Sequence, residues 1–203
     1  TLMASGIKDI LIITTPNDAY SFKNLLQDGS QWGVDIKYKI QEKPDGLASA
    51  FILGEDFLNN SPSALILGDN LFHGENLIRN LRTANQDLDS STVFAYAVSD
   101  PERYGVVDFN SYGEAISIEE KPKVPKSRFA ITGLYFYDNT APEKAKSLKP
   151  SKRGELEITD LNKLYLKEKK LKVSIIGRGM TWLDTGTFDS MHQASSYIRT
   201  LEK

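Results

Sequence analysis

Asp69 stands in Gly68-Asp69-Asn70, directly after the apolar run Ala64-Leu65-Ile66-Leu67. A carboxylate at the carboxyl end of a buried strand can face a cleft while the strand fixes its position, and ligands of open α/β sheets bind beyond such ends. Two roles suit it. It could bind Mg2+, which takes one or two carboxylates alongside substrate phosphates, or it could cap a following helix. Asp184 poses the same choice, because it follows Trp182-Leu183 and precedes Thr185-Gly186-Thr187, where a new helix is predicted. Two such aspartates could share one metal, but only folding could bring them together. Glu119-Glu120-Lys121-Pro122 ends a strand in charges. Strict alternation puts Glu120 and Lys121 on opposite faces. Both can meet one ligand only if the pleat breaks, and Pro122 makes such a break plausible.

Other positions offer weaker chemistry. Gln41 precedes the turn Pro44-Asp45-Gly46, and its amide could read a planar base or be an ordinary loop side chain. Tyr104-Gly105 could let a ligand approach the backbone, since glycine has no side chain in the way. Arg153, before Gly154 and Glu155, could clamp a phosphate or sit in solvent. No Walker A sequence or complete G-x-G-x-x-G occurs; Gly177-Arg178-Gly179 is only a fragment. From these residues alone the chain is an α/β domain with a candidate acidic metal site and no named reaction.

The elements that must position these residues follow from the hydrophobic pattern. Thr1 to Ser5 reads as the last turns of a helix stopped by Gly6. Ile10 to Ile13 predicts a strand buried on both faces, and Val34 to Ile40 a half-buried one. Asn17 or Asp18 caps a helix carrying Phe22, Leu25 and Leu26. Leu47 to Leu58 predicts one interior helix, Ala64 to Leu67 a second buried strand, and Leu77 to Leu88 a further helix. This alternation is the signature of a parallel sheet covered by helices. The second half is richer in strands: Thr92 to Val98, Tyr104 to Phe109, Ala115 to Glu119, Phe129 to Tyr137 and Lys172 to Ile176. Helices are predicted near 142–148, 156–169 and 187–201, with a short extended piece at Trp182-Leu183-Asp184. The charges from Lys163 to Lys172 read as a solvated helix end. One domain over 1–203 is the expectation, and both ends read as internal to a longer protein.

Composition excludes several classes. The chain has 203 residues, with 25 lysines and arginines against 27 acids and a net charge of −2. That balance does not suit a general nucleic-acid or membrane-surface binder. There is no cysteine, which removes disulfides, thiolate nucleophiles and Cys-based zinc sites. His73 and His192 are the only histidines, too few for a histidine-rich metal site and awkward for a serine–histidine triad. No apolar run approaches the roughly 20 residues that cross a bilayer.

Seven segments share an order and spacing: QEKPDGLASAF (41–51), LGDNLFHG (67–74), DPERYGVV (100–107), EEKP (119–122), TGLYFYD (132–138), RGELEITD (153–160) and WLDTGT (182–187). Together they make the chain resemble the bacterial sugar nucleotidyltransferases that form dTDP-glucose, the glucose-1-phosphate thymidylyltransferases, over essentially its whole length. The resemblance implies a Rossmann-like mixed, mainly parallel sheet flanked by helices, truncated at both ends. The family's N-terminal strand and glycine-rich loop would lie upstream. Residues 1–99 would form a nucleotide-binding half and 100–203 a sugar-binding half. Asp69 and Asp184 would hold a catalytic Mg2+. Gln41, Pro44 and Gly46 would serve the thymine, with Leu47 packing near the base. Tyr104, Gly105 and Glu120 would bind the sugar, Tyr135 would border it, and Lys121 with Arg153 would neutralise the phosphate. dTTP and glucose 1-phosphate would be the substrates, dTDP-glucose and pyrophosphate the products. The resemblance also implies a cytoplasmic homotetramer supplying dTDP-rhamnose and polysaccharide synthesis. A uridylyltransferase of the same fold, or a non-catalytic nucleotide-sugar-binding subunit, are the other readings.

Overall fold

A computed structural model describes residues 1–203. The β-branched run at Ile10 lies in strand β1 (Asp9–Thr14), paired in parallel with β2 (Asp35–Ile40). Between them runs helix α2 (Ala19–Leu26), and before them α1 (Leu2–Ser5) stops at Gly6 in the left-handed conformation. β1 is only half-buried, not covered on both faces as its sequence predicts, because it pairs along one edge alone. The single helix expected over Leu47 to Leu58 is two short ones, α3 (Ser49–Leu53) and α4 (Glu55–Leu58), broken at Gly54. A Cβ on Gly54 would lie 3.0 Å from the Ala50 carbonyl oxygen and 3.3 Å from Leu11, so the helix bends where β1 presses against it.

The remaining elements are β3 (Ser63–Ile66), β4 (Asn70–Gly74), α5 (Leu77–Gln86), β5 (Ser91–Ala97), β6 (Gly105–Phe109), β7 (Ala115–Glu120) and β8 (Phe129–Tyr137). They are followed by α6 (Ala141–Ser147), α7 (Ile158–Lys167), β9 (Leu171–Ile176), β10 (Met180–Asp184) and α8 (Phe188–Leu201). The large sheet has the order β7-β6-β8-β5-β9, with β3 also paired to β8. β1 and β2 pair in parallel, as the strand–helix alternation of the first half predicts, but they form a two-stranded sheet of their own; in the large sheet β3, β5, β6 and β9 run the same way. The ladders themselves are mostly antiparallel, because the reversed strand β8 is inserted at the centre. Alternation in sequence constrains direction, not which strand becomes the neighbour. β3 and β5, from the first half of the chain, both pair with β8 from the second, so the two halves share one sheet.

β8 explains why the sheet is stable. All of its residues except Phe129 are buried, and successive side chains enter opposite cores. Ile131, Tyr135 and Tyr137 pack with Phe51, Ile158 and Tyr165 on one face. Ala130, Leu134 and Phe136 pack with Leu81, Phe94 and Trp182 on the other.

At the end of β8 the buried Asp138 carboxylate accepts from Thr140 N–H (2.9 Å), Thr140 Oγ1–H (2.5 Å) and Tyr165 O–H (2.6 Å). Burial alone would push this carboxyl up, but those donors and Lys170 outweigh it and hold it below the ordinary value of 3.8. A depressed folded-state value means the contribution is complete above the unfolded-state value and fades as pH falls through the folded one. Asp138→Asn is therefore expected to lower stability by about 1–3 kcal/mol at pH 7. Its deficit relative to the parent should shrink below pH 4. Urea unfolding of both proteins at the two pH values checks this; a deficit constant with pH would remove the ionised-carboxylate account.

Candidate active site

β3 and β6 occupy the same edge of β8, β3 along Leu134–Tyr137 and β6 at Phe129–Ala130. Between them a cleft of about 680 Å3 opens over Ile131 and Gly133. Asp69, Asp184, Tyr104, Gly105, Glu120 and Lys121 all line it, as do Leu47, Tyr135 and Arg153.

The two aspartates meet through a second, two-stranded sheet. β4 and β10 pair antiparallel with Asn70 opposite Asp184, and Asp69 immediately precedes β4. Thr185 clamps the junction: its N–H (2.8 Å) and its hydroxyl (2.9 Å) both donate to the Asp69 carbonyl oxygen. Both carboxylates converge on Gly186, where a Cβ would stand 3.1 Å from Asp184 Oδ1 and 3.4 Å from Asp69 Oδ2. The helix-cap alternative falls for both. Asp69 is followed by a strand, and α8 is capped by Thr187 in a capping box with Ser190.

Asn70, which in the sequence is only the neighbour of Asp69, joins three parts of this site. Its Oδ1 accepts from Gly133 N–H (2.9 Å) and from Trp182 Nε1–H (2.6 Å), and its Nδ2 donates to Asp69 Oδ1 (2.8 Å). The amide orientation is forced, since both groups facing the oxygen can only donate.

The pleat does break after Glu120. Lys121 adopts φ 43° and its N–H donates to the Tyr104 carbonyl oxygen (3.0 Å). A left-handed conformation costs a non-glycine residue roughly 1–2 kcal/mol. In exchange, Glu120 and Lys121 both line one cleft. Glu120 accepts from the buried Thr159 hydroxyl. Gly105 lies beneath that pair, where a Cβ would stand 2.9 Å from Thr159 Oγ1. The close approach that requires glycine here is therefore made by the protein's own side chains. Burial, with Glu120 nearby, pushes the Tyr135 hydroxyl well above its ordinary value.

Arg153 differs from the free phosphate clamp expected of it. Its guanidinium lies 2.8 Å from Glu157, 3.2 Å from Glu155 and 3.6 Å from Glu120. Arg103, absent from the predicted set, also lines the cleft and pairs with Asp100 at 2.9 Å. Of the three cleft cations Arg103, Lys121 and Arg153, only Lys121 has no carboxylate partner.

Gln41, Pro44 and Gly46 do not line the cleft with the others. Gln41 Nε2 donates to Ser49 Oγ (2.7 Å), and Ser49 Oγ donates to the Gly46 carbonyl oxygen (2.5 Å). Gly46, at φ 98°, lies so close to the Leu156 backbone that a Cβ would stand 2.4 Å from its oxygen. Leu156 N–H donates to the Asp45 oxygen and Ala48 N–H to the Leu156 oxygen. From this segment Leu47 alone reaches the cleft.

This fold and these segments define a class. The family described as nucleotidyl transferase matches residues 1–200, and the chain belongs to it. A glucose-1-phosphate thymidylyltransferase of Neisseria meningitidis serogroup A is 56% identical over 201 residues, 99% of this chain and 70% of that protein. The enzyme of that name from Mycobacterium tuberculosis is 50% identical over 203 residues, all of this chain and 70% of that protein. Among solved structures, one from Bacillus anthracis, described as a glucose-1-phosphate thymidylyltransferase in complex with sucrose, superposes with a TM-score of 0.87. It is 40% identical, over 98% of this chain and 79% of that one. A UDP-glucose pyrophosphorylase complexed with UDP-glucose gives 0.81 at 24% identity, over 98% and 83%, which speaks to fold alone. No helix is long and apolar enough to cross a membrane.

Proposed function

We propose that the chain transfers a thymidylyl group from dTTP to glucose 1-phosphate, giving dTDP-glucose and pyrophosphate. The activity named for relatives at 47–56% identity supports this donor over UTP and a catalytic over a merely binding role. Within the cleft, the observation that carries it is the convergence of Asp69 and Asp184 on Gly186.

The attacking group would be a sugar-phosphate oxygen. A phosphomonoester has its second pKa near about 6, so this nucleophile is largely ionised at neutral pH and needs no general base. The difficulty is charge. Two like unit charges 4 Å apart repel by about 4 kcal/mol at an effective dielectric of 20. Asp69 and Asp184 would hold Mg2+. The donor set fits a hard cation: all-oxygen, with one oxygen of each carboxylate fixed by a hydrogen bond from Asn70 or from Gly186 N–H. When bound, Mg2+ would neutralise charge on the phosphates. Lys121, the unpaired cation, would meet the phosphate of glucose 1-phosphate. Glu120, oriented by Thr159, would accept from a sugar hydroxyl, with Tyr135 forming the wall. Leu47 would pack near the base. We further propose a cytoplasmic homotetramer that supplies dTDP-rhamnose synthesis.

Pyrophosphate release with dTTP and UTP in direct competition tests the donor; a preference for UTP would overturn it. Lys121→Ala is expected to raise KM for glucose 1-phosphate about tenfold or more while changing KM for dTTP about twofold or less. An equal rise for both substrates would show that the ammonium serves more than the sugar phosphate.

A further inference from the structure

Asp184 has two oxygens with different company. Oδ1 accepts from Gly186 N–H (3.0 Å), whereas Oδ2 lies 4.0 Å from an Arg103 terminal nitrogen. Asp69 has no ion pair, so Arg103 is the one side-chain cation within 4 Å of either carboxylate. Arg103 cannot drift far. Its other terminal nitrogen is tied to Asp100 at 2.9 Å across the short turn Pro101–Arg103, and its guanidinium lies 5.3 Å over the Tyr104 ring. Tyr104 in turn packs edge-on against Trp182, two residues before Asp184. The guanidinium is thus held in place rather than folded onto Asp184 by chance.

We propose that Arg103 is a positioning residue for Asp184 and the protein's own competitor for the divalent cation. Resting on the two-carboxylate reading above, it balances the converging carboxylates and weakens their hold on a lone cation. Anionic phosphate would relieve this opposition, because it attracts guanidinium and metal alike. Metal capture is thereby tied to arrival of the phosphorylated ligand.

The test uses Mg2+ alone, without nucleotide, on the full chain. Thermal unfolding is measured with and without saturating Mg2+, and metal affinity by calorimetry. Arg103→Met and Arg103→Gln are each expected to melt below the parent without Mg2+, to gain more from Mg2+ than the parent does, and to bind it about tenfold more tightly. Arg103→Lys, which keeps the charge, should stay near the parent. If the neutral variants lose the same Tm with and without Mg2+ and bind it no more tightly, Arg103 is only a structural tie to Asp100 and the proposal falls. Asp184→Asn separates the two levels. Its loss of the Mg2+ response, with neutral Arg103 variants unchanged in affinity, overturns the Arg103 role alone. A full Mg2+ response in Asp184→Asn overturns the carboxylate site and the proposal with it.

Discussion

Asp69→Asn is expected to lower turnover of dTDP-glucose formation by about two to three orders of magnitude, the usual cost of removing one well-placed electrostatic group from a transition state. The fold should survive. Asp69 holds the β4–β10 junction through its main-chain oxygen, which accepts from Thr185 N–H and hydroxyl and is untouched by the substitution. The side chain accepts only from Asn70 Nδ2, and an asparagine can present an oxygen there too. Pyrophosphate release and thermal unfolding measured together decide the matter. Near-parental turnover would remove the proposed metal role, and a large drop in Tm would mean that the charge had been structural.

Gly133→Ala should damage both stability and activity. A Cβ there would stand 2.6 Å from Asn70 Oδ1 and 2.8 Å from Leu67. Overpacking of this kind costs about 1–3 kcal/mol. Displacing Asn70 would also strand the N–H groups of Gly133 and Trp182, at about 1–3 kcal/mol for each one left buried without a partner. A net loss of about 3 kcal/mol or more is expected, the low end of each contribution taken together. Turnover should fall as well, because Asn70 lies directly opposite Asp184. Gly177→Ala is the control, with nothing within 4 Å of its Cβ, and should change stability by less than about 1 kcal/mol. Chemical denaturation of both variants provides the comparison; equal losses would show that crowding at Asn70 is not the cause.

Much of the fold was legible because burial leaves a mark on sequence. β8 is covered on both faces, and Phe129 to Tyr137 is apolar or aromatic except at Thr132 and Gly133, so it reads as a strand. β4 was not legible. Asn70–Gly74 carries asparagine, histidine and glycine and no β-branched residue, and it becomes a strand only by pairing with β10, more than a hundred residues away. The same pairing hides Asn70, whose three partners come from separate parts of the chain. At Glu120-Lys121 the sequence poses a condition, a broken pleat, which the backbone at Lys121 meets. Gln41 is a different case: its amide suits a base, and in the fold one of its N–H groups donates to Ser49 Oγ, leaving its second N–H and its oxygen for another partner. Residue type reveals a capacity for hydrogen bonding, whereas nearness decides which partner takes it.

β8 forms the floor between the strand that leads to Asp69 and the strand that begins at Gly105. The spacing along a strand is covalent, about 3.3 Å for each residue. Any shift of β8 would therefore carry both walls of the cleft together, and the distance between the groups they present would be kept.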